Sequence, residues 1–163
     1  AAERHVQAHL PQRRLSVKPE RTDQAIAMAA MITANNVPLD AIIALTESGS
    51  TAQWLSRVRS PVPIIALSPN RASLRRMRLF QHVQPLFFSA RTASGNIGSG
   101  AECGSIARLA LERVVDAGLV QIGQRVVLTF GDNIGEHGST NTLKILRVPE
   151  ISSASVQAEF ANL

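Results

Sequence analysis

The sequence contains little cysteine and few aromatic residues. Its single cysteine, Cys103, excludes an internal disulfide and fits a reducing compartment, so we expect a cytoplasmic protein. There is no tyrosine and only one tryptophan, Trp54. Without aromatic side chains interleaved among the basic ones, no platform exists on which nucleic-acid bases could stack, and we expect no nucleic-acid partner.

Long apolar runs are also missing. The longest, such as residues 25–32, fall far short of the ~20 residues that cross a bilayer. The first residues are polar and basic without an apolar segment, which predicts neither a secretory signal nor a membrane partner. With 163 residues, of which 45% are hydrophobic and 18% charged, the chain is typical of one soluble globular core.

The net charge of +5 comes almost wholly from arginine, because lysine occurs only at positions 18 and 144 among the 17 basic residues. Arginine forms forked contacts with phosphate and carboxylate groups. The excess of positive charge therefore indicates that the chain binds anionic metabolites or contacts the surface of another domain. The arginines at positions 71, 75, 76 and 78 wind around a predicted helix, which is more typical of solvated or inter-domain side chains than of a ligand site.

Helix patterns alternate with short apolar runs along most of the chain. Strands are predicted at 41–46, 63–68, 83–88, 125–130 and 142–148, with helices at 50–58, 71–81 and from about 99 to 118. An earlier helix, capped by Thr22, is apolar on almost every side over 25–34, which predicts burial against the sheet. Asn70 is the expected cap of the helix at 71–81, Ser99 and Glu102 form a capping box, and Gly118 ends the long helix. That helix is expected to place five apolar residues along one face: Ile106, Leu109, Ala110, Val114 and Ala117.

Alternating strands and helices imply a parallel sheet with right-handed crossovers. Only about ten residues separate the last two strands, which is too short for a crossover helix, so the fifth strand should run antiparallel. The predicted fold is an α/β three-layer αβα sandwich with a mixed five-stranded sheet. Residues 1–21 are interpreted as a lead-in from an upstream segment, 22–150 as the domain and 151–163 as a tail.

One candidate binding site follows the first strand. The segment Thr46-Glu-Ser-Gly-Ser-Thr51 leaves the carboxyl end of a strand and opens a helix, a place where ligands bind in open α/β sheets. Gly49 lets the backbone approach an anion closely. The segment also offers that anion four hydroxyls and the free N–H groups of a helix start. The pattern fits a phosphate monoester about as well as an ordinary capped turn. Glu47 would repel a phosphate unless it pointed away or bound a sugar hydroxyl.

A second candidate follows the fourth strand. Residues 131–142 read Gly-Asp-Asn-Ile-Gly-Glu-His-Gly-Ser-Thr-Asn-Thr and start at the same sheet edge as the first loop, so the two loops could face one ligand. Glycine-rich loops expose backbone N–H groups. A flexible hairpin connection explains the glycines equally well, and no Gly-Lys-Ser/Thr follows that would make this a P-loop.

Little in the sequence indicates catalysis or metal binding. Cys103 lies beside a helix start, where thiols can become reactive, but a small buried residue is the commoner role. The histidines at 5, 9, 82 and 137 show no metal-ligand spacing. A small hydrolase that uses Cys103 or His137 remains an alternative.

Several motifs in the correct succession resemble the carboxy-terminal α/β domain of bacterial pyruvate kinases. They are the run 25–36, Ile42-Ile-Ala-Leu-Thr-Glu-Ser-Gly-Ser-Thr-Ala52, Pro63-Ile-Ile-Ala-Leu-Ser68 and Gly138-Ser-Thr-Asn-Thr-Leu-Lys-Ile-Leu146. Pyruvate kinases transfer phosphate from phosphoenolpyruvate to ADP in a (β/α)8 barrel that binds Mg²⁺ and commonly K⁺. The resemblance implies that these ions and all catalytic residues belong to a barrel outside this chain, so that the chain alone is inactive.

The resemblance also implies an allosteric site for a sugar-phosphate activator. Thr46, Ser48, Gly49, Ser50 and Thr51 would hold a phosphate, and Gly135, Glu136, His137, Gly138 and Ser139 would form a closing loop. Relatives activated by fructose 1,6-bisphosphate often carry a basic residue in the first loop, or arginine or tryptophan in the closing loop. This sequence has neither, so a sugar monophosphate such as ribose 5-phosphate or glucose 6-phosphate is the preferred effector.

Two partners follow from the same resemblance. The domain would contact its own catalytic barrel, and its last strand, Thr142–Val148, would pair across a subunit boundary in a homo-oligomer. The alternative is a stand-alone α/β small-molecule-binding module with no kinase role.

Overall fold

The computed structural model describes residues 18–58, 60–89, 103–131 and 138–150. The helices are α1 (Thr22–Asn36), α2 (Ser50–Ser56), α3 (Arg71–Met77) and α4 (Cys103–Asp116). The strands are β1 (Ala41–Leu45), β2 (Ile64–Ser68), β3 (Val83–Phe87), β4 (Arg125–Gly131) and β5 (Thr140–Arg147). The order of elements is the predicted one, and the ends differ from prediction by a few residues.

The strands form one sheet in the order β3-β2-β1-β4-β5. β1 pairs in parallel with β2 and β4, β2 pairs in parallel with β3, and β5 runs antiparallel to β4. The predicted mixed sheet with an antiparallel last strand is therefore confirmed. β5 begins at Thr140 rather than Thr142, because an irregularity in register between Phe130 and Gly131 lets Gly131 pair with Thr140.

The two faces of the sheet are covered by different helices. Ile43 and Leu128 pack on one face with Val114 of α4. Ile42 packs on the other face with Met31 of α1, and α2 lies on that side too. β1 and β2 are buried on both faces, which explains why their sequences are continuous apolar runs. The predicted three-layer αβα sandwich is confirmed.

Helix α1 packs against the sheet, as predicted, although its apolar residues extend almost all round it and only one side of it is buried. Its buried apolar residues are Ala27, Ala30, Met31 and Ala34. Ile32, on another side, is 44% exposed. The helix lies on the surface of the sheet, so within the described residues only one side of it is covered.

The start of α1 also differs from the prediction. Thr22 is the first helical residue, and the cap position belongs to Arg21, whose side chain makes no capping hydrogen bond. The backbone N–H of Glu20 instead donates to the side-chain oxygen of Gln24 at 2.9 Å. The guanidinium of Arg21 has no acceptor atom with which to cap the helix, and it contacts Asp23 and Ser50 instead.

The other predicted helix ends are largely confirmed. The Asn70 side chain accepts hydrogen bonds from the backbone N–H groups of Ala72 and Ser73 and so caps α3. Gly118 follows α4 with φ of 70°, a conformation that favours glycine. The capping box predicted at Ser99–Glu102 lies outside the described residues.

Helix α4 turns a slightly different face to the sheet than predicted. Leu109 is 40% exposed, whereas Ala107 and Leu111 are buried beside Ala110 and Val114. The spacing 107, 110, 111, 114 is that of one helical face, and Leu109 lies off it. Among the described helices, none has the length and apolar character that a membrane span requires.

Candidate functional site

A pocket opens where the carboxyl ends of the parallel strands meet. Since β5 is antiparallel, its first residue lies at the same edge as the last residues of β1 and β4. The first loop contributes Thr46, Glu47, Ser48, Ser50 and Thr51 to the lining of the pocket. The second loop contributes Gly131, Gly138, Ser139 and Thr140. The structure therefore brings the described residues of both candidate loops to one place.

The rest of the pocket lining is mainly apolar. It comes from strand ends and the residues just after them, namely Leu45, Leu67, Pro69, Phe88 and Phe130. Phe130 is only 2% exposed and belongs to the core between the sheet and α4. The pocket thus combines hydroxyl groups with apolar surface, an arrangement suited to a ligand with one strongly polar group and a less polar body.

Two hydroxyls of the first loop act as acceptors within the protein. Thr46 Oγ1 accepts a hydrogen bond from the backbone N–H of Gly49 at 2.9 Å. Ser48 Oγ accepts one from the backbone N–H of Ser50 at 3.3 Å. A hydroxyl that accepts keeps its own proton for donation. Among the described residues both protons are uncommitted, so both groups can donate to an anion in the pocket.

Thr51 joins the two loops directly. Its Oγ1 lies 2.9 Å from Oγ1 of Thr140, the first residue of β5. Both residues are buried. Because one hydroxyl donates to the other, the second proton of the pair is not used in this contact. The hydrogen bond fixes the start of α2 against the start of β5.

Ser50 is bound differently from the other hydroxyl residues. Its Oγ donates to Oδ2 of Asp23 at 2.9 Å, which uses the only proton of that hydroxyl. Asp23 is fully buried. It also accepts two hydrogen bonds from Arg21, from Nε to Oδ1 at 3.0 Å and from Nη2 to Oδ2 at 2.5 Å.

This cluster keeps both of its charges. Burial of Asp23 raises its pKa, but the hydrogen bonds from Arg21 and Ser50, the charge of Arg21 and a backbone hydrogen bond at Gln24 outweigh burial and hold the pKa below its usual value. The hydrogen bond and the charge of Asp23 in turn raise the pKa of Arg21. Both side chains are therefore ionised at neutral pH.

A second arginine also contacts the first loop. Arg76 of α3 donates to the backbone carbonyl of Ser48. Gly49, the next residue of the loop, has a backbone φ of 82°. A Cβ placed on it would lie 3.0 Å from Cγ of Met77 in α3. Glycine is needed at this position both for its conformation and for the close approach of α3.

Comparison with known proteins identifies the domain. The family model described as pyruvate kinase, alpha/beta domain, matches residues 24–146. The chain belongs to the pyruvate kinase family. A pyruvate kinase of Buchnera aphidicola subsp. Baizongia pistaciae is 36% identical over 148 residues, which is 90% of this chain and 29% of that protein. The predicted resemblance to the pyruvate kinase α/β domain is confirmed.

Other bacterial relatives agree. Pyruvate kinase II of Salmonella typhimurium is 36% identical over 148 residues, again 90% of this chain and 29% of the relative. A pyruvate kinase of Staphylococcus aureus is 33% identical over 121 residues, 74% of this chain and 19% of the relative. The chain therefore spans less than a third of the length of these pyruvate kinases.

The structure describes part of the predicted site of this pyruvate kinase domain. All five residues predicted for phosphate binding lie in the described loop, and of the predicted closing loop Gly138 and Ser139 line the pocket. Gly135, Glu136 and His137 lie outside the described residues, as does the side chain of Cys103. Among the residues that the structure covers, no group of three His, Cys, Asp or Glu side chains could hold a metal ion.

Sequence reasoning misses Arg21 and Asp23. Asp23 reads as an acidic residue at the positive end of a helix, and Arg21 as the last residue of the lead-in. They reach Ser50 across 29 and 27 positions of chain, respectively. Only the packing of α1 beside α2 makes these contacts, so no local pattern indicates them.

The contact between Thr51 and Thr140 can be tested by a double-mutant cycle. Replacing Thr51 with valine is expected to lower the free energy of unfolding by about 1–2 kcal/mol, because the buried hydroxyl of Thr140 loses its partner. Thr51→Val combined with Thr140→Val removes both partners and is expected to cost less than the sum of the single changes. Urea unfolding of the four proteins measures the coupling. Strictly additive losses would show that the two hydroxyls do not interact.

Proposed function

We propose that this pyruvate kinase domain is regulatory and binds a sugar-phosphate activator between loop 46–51 and loop 131–141. The supporting observation is the convergence of the two loops on one pocket, where Thr51 contacts Thr140. Either loop alone resembles an ordinary turn. Together they offer hydroxyl donors beside apolar surface in a concave site at the carboxyl edge of the sheet, the usual ligand site of such sheets.

A sugar monophosphate fits the lining better than a bisphosphate. The uncommitted protons of Thr46 and Ser48 serve one phosphate group. Glu47 also lines the pocket, and a carboxylate there would accept a hydrogen bond from a sugar hydroxyl and repel a second phosphate. Ribose 5-phosphate and glucose 6-phosphate have the required combination of one phosphate and several hydroxyls.

In this proposal, strand β5 connects ligand binding to the arrangement of the subunits. The second loop continues into β5, which is an edge strand of the described sheet and pairs there with β4, so that its outer edge lies away from β4. In the proposed homo-oligomer that edge, over Thr142–Val148, pairs with a second subunit. A ligand that contacts the loop differently in two subunit arrangements shifts the population toward the better-bound arrangement.

The proposal covers the complete enzyme as well. It would transfer phosphate from phosphoenolpyruvate to ADP in its catalytic barrel, and Mg²⁺ and K⁺ would bind there rather than in this domain. The role of the present domain would be to bind the activator and to hold subunits together.

Thermal unfolding with a ligand panel tests the effector site. The panel contains ribose 5-phosphate, glucose 6-phosphate, fructose 1,6-bisphosphate, inorganic phosphate and unphosphorylated ribose. A ligand at 100 times its dissociation constant adds about 2.7 kcal/mol of stability, which raises the melting temperature of a chain of this size by several degrees. We expect a sugar monophosphate to give the largest shift and ribose to give none.

A matched pair of serine variants locates the site. Ser48→Ala removes a hydroxyl that lines the pocket and is expected to weaken binding about tenfold, the loss typical of one hydrogen bond to a charged group. Ser56→Ala removes a hydroxyl that donates to the backbone of Gln53 at the end of α2, and binding should be unchanged. Equal affinity in both variants, or no shift with any phosphate compound, would contradict the proposal.

A further inference from the structure

Arg21 lies beside two residues that line the pocket, although it precedes the residues that match the family model. Its Nη2 lies 3.2 Å from Oγ of Ser50. The same nitrogen lies 3.2 Å from the place that a Cβ on Gly138 would occupy. Ser50 and Gly138 both line the pocket, one from each loop. Arg21 is therefore a cation that lies beside the described residues of both loops.

The direction of the hydrogen bonds decides which group can donate to a ligand here. The single proton of Ser50 is given to Asp23, so Ser50 has none left for an anion. A guanidinium has five N–H donors in a planar fork, and Asp23 and Ser50 engage only the Nε and Nη2 side of Arg21. The Arg21 side chain is 53% exposed, and among the described residues its Nη1 donates to no protein group.

We infer that Arg21, rather than Ser50, is the donor to the effector's phosphate at this end of the loop. Asp23 and Ser50 act as positioning residues that orient the guanidinium. The inference rests on the proposed function and assigns to the site a residue and a charge that its loop sequence does not contain. Because an ionised donor adds a charge–charge attraction to its hydrogen bond with phosphate, Arg21 would contribute more to affinity than a neutral loop hydroxyl.

Asp23 has a particular part in this arrangement. A fully buried carboxylate fixes the guanidinium through two hydrogen bonds, so little side-chain freedom remains to be lost when a ligand binds. The negative charge of Asp23 also lowers the attraction of Arg21 for free anions in solution. Binding at Arg21 therefore needs the additional donors of the pocket, which favours a phosphate ester seated in the loop over scattered anions on the surface.

Titration calorimetry on the 163-residue chain tests the inference, with ribose 5-phosphate and inorganic phosphate as probes. Arg21→Gln is expected to weaken binding of both probes about ten- to a hundredfold, whereas Ser50→Ala should weaken it less than threefold. Arg21→Lys keeps the charge without the fork and should retain part of the affinity. Arg75→Gln removes an equal charge from an exposed position of α3 and should leave the affinity unchanged.

Salt dependence separates a ligand contact from a purely structural role of Arg21. Loss of a phosphate contact reduces the dependence of affinity on ionic strength, while mere loosening of the fold does not. All titrations are made well below the melting temperature of each variant. Wild-type affinity in Arg21→Gln, or a loss in Ser50→Ala as large as in Arg21→Gln, would overturn the inference and leave the proposed function intact. Failure of the unaltered chain to bind either probe would overturn both.

Discussion

Replacing Phe130 with alanine is expected to lower the free energy of unfolding by about 3–5 kcal/mol. The ring is 2% exposed in the core that α4 forms with the sheet. Its loss leaves a cavity between two packed layers that cannot close without moving the strand. Lys144 also lies over the ring, 5.6 Å from its centre, and this contact disappears with it.

The measurement is denaturant unfolding, checked by a fall in melting temperature of roughly 10 °C or more. Ile145→Ala is the matched control, because Ile145 lies on the neighbouring strand and is 49% exposed. The control is expected to lose less than about 1 kcal/mol, since little buried surface is removed. A smaller loss in Phe130→Ala than in Ile145→Ala would contradict the described packing.

Replacing Gly131 with alanine is expected to destabilise the domain by about 3 kcal/mol, the upper end of the usual range for overpacking. A Cβ on Gly131 would lie 2.6 Å from the carbonyl carbon of Ser139 and even closer to its backbone oxygen. Backbone atoms cannot rotate away as a flexible side chain can. The second loop must shift where β4 meets β5, and the pocket should change shape with it.

Two readouts check this expectation. Urea unfolding reports the loss of stability, and the thermal shift with ribose 5-phosphate reports the state of the pocket. Gly118→Ala is the control, because a Cβ there meets nothing within 4 Å and the positive φ of 70° costs only about 1–2 kcal/mol. If Gly118→Ala proved the more damaging of the two, the close approach of Ser139 to Gly131 would be wrong.

The alternation of strands and helices was readable from the sequence because burial on both faces leaves a continuous apolar run, as in 41–45 and 64–68. The antiparallel last strand followed from loop length alone. Helix ends were harder to predict. Thr22 has the right chemistry for a cap, but it is the first helical residue, and the cap position belongs to Arg21, which makes no side-chain capping hydrogen bond.

The candidate site was predictable to the extent that its residues adjoin a strand end. Thr46 and Ser48 follow β1 directly, and parallel topology alone places them at the ligand edge of the sheet. The part played by Ser50 was not predictable, because its proton goes to Asp23 on another helix. Phe130 was likewise predicted only as a strand residue. Its ring belongs to the core and also lines the pocket, and the sequence pattern shows only the first of these roles. These roles are set by tertiary contacts, which leave no pattern in a single stretch of sequence.

Phe130 belongs both to the core and to the pocket lining, and this limits how the pocket can evolve. Residues of the apolar lining that also belong to the core, such as Phe130 and Leu67, cannot change without loss of stability. Partly exposed positions around them, such as Ser48 and Ser139, carry no such penalty. A change of preferred ligand among relatives of this fold is therefore expected to arise by substitutions at the partly exposed positions, while the apolar lining stays nearly constant.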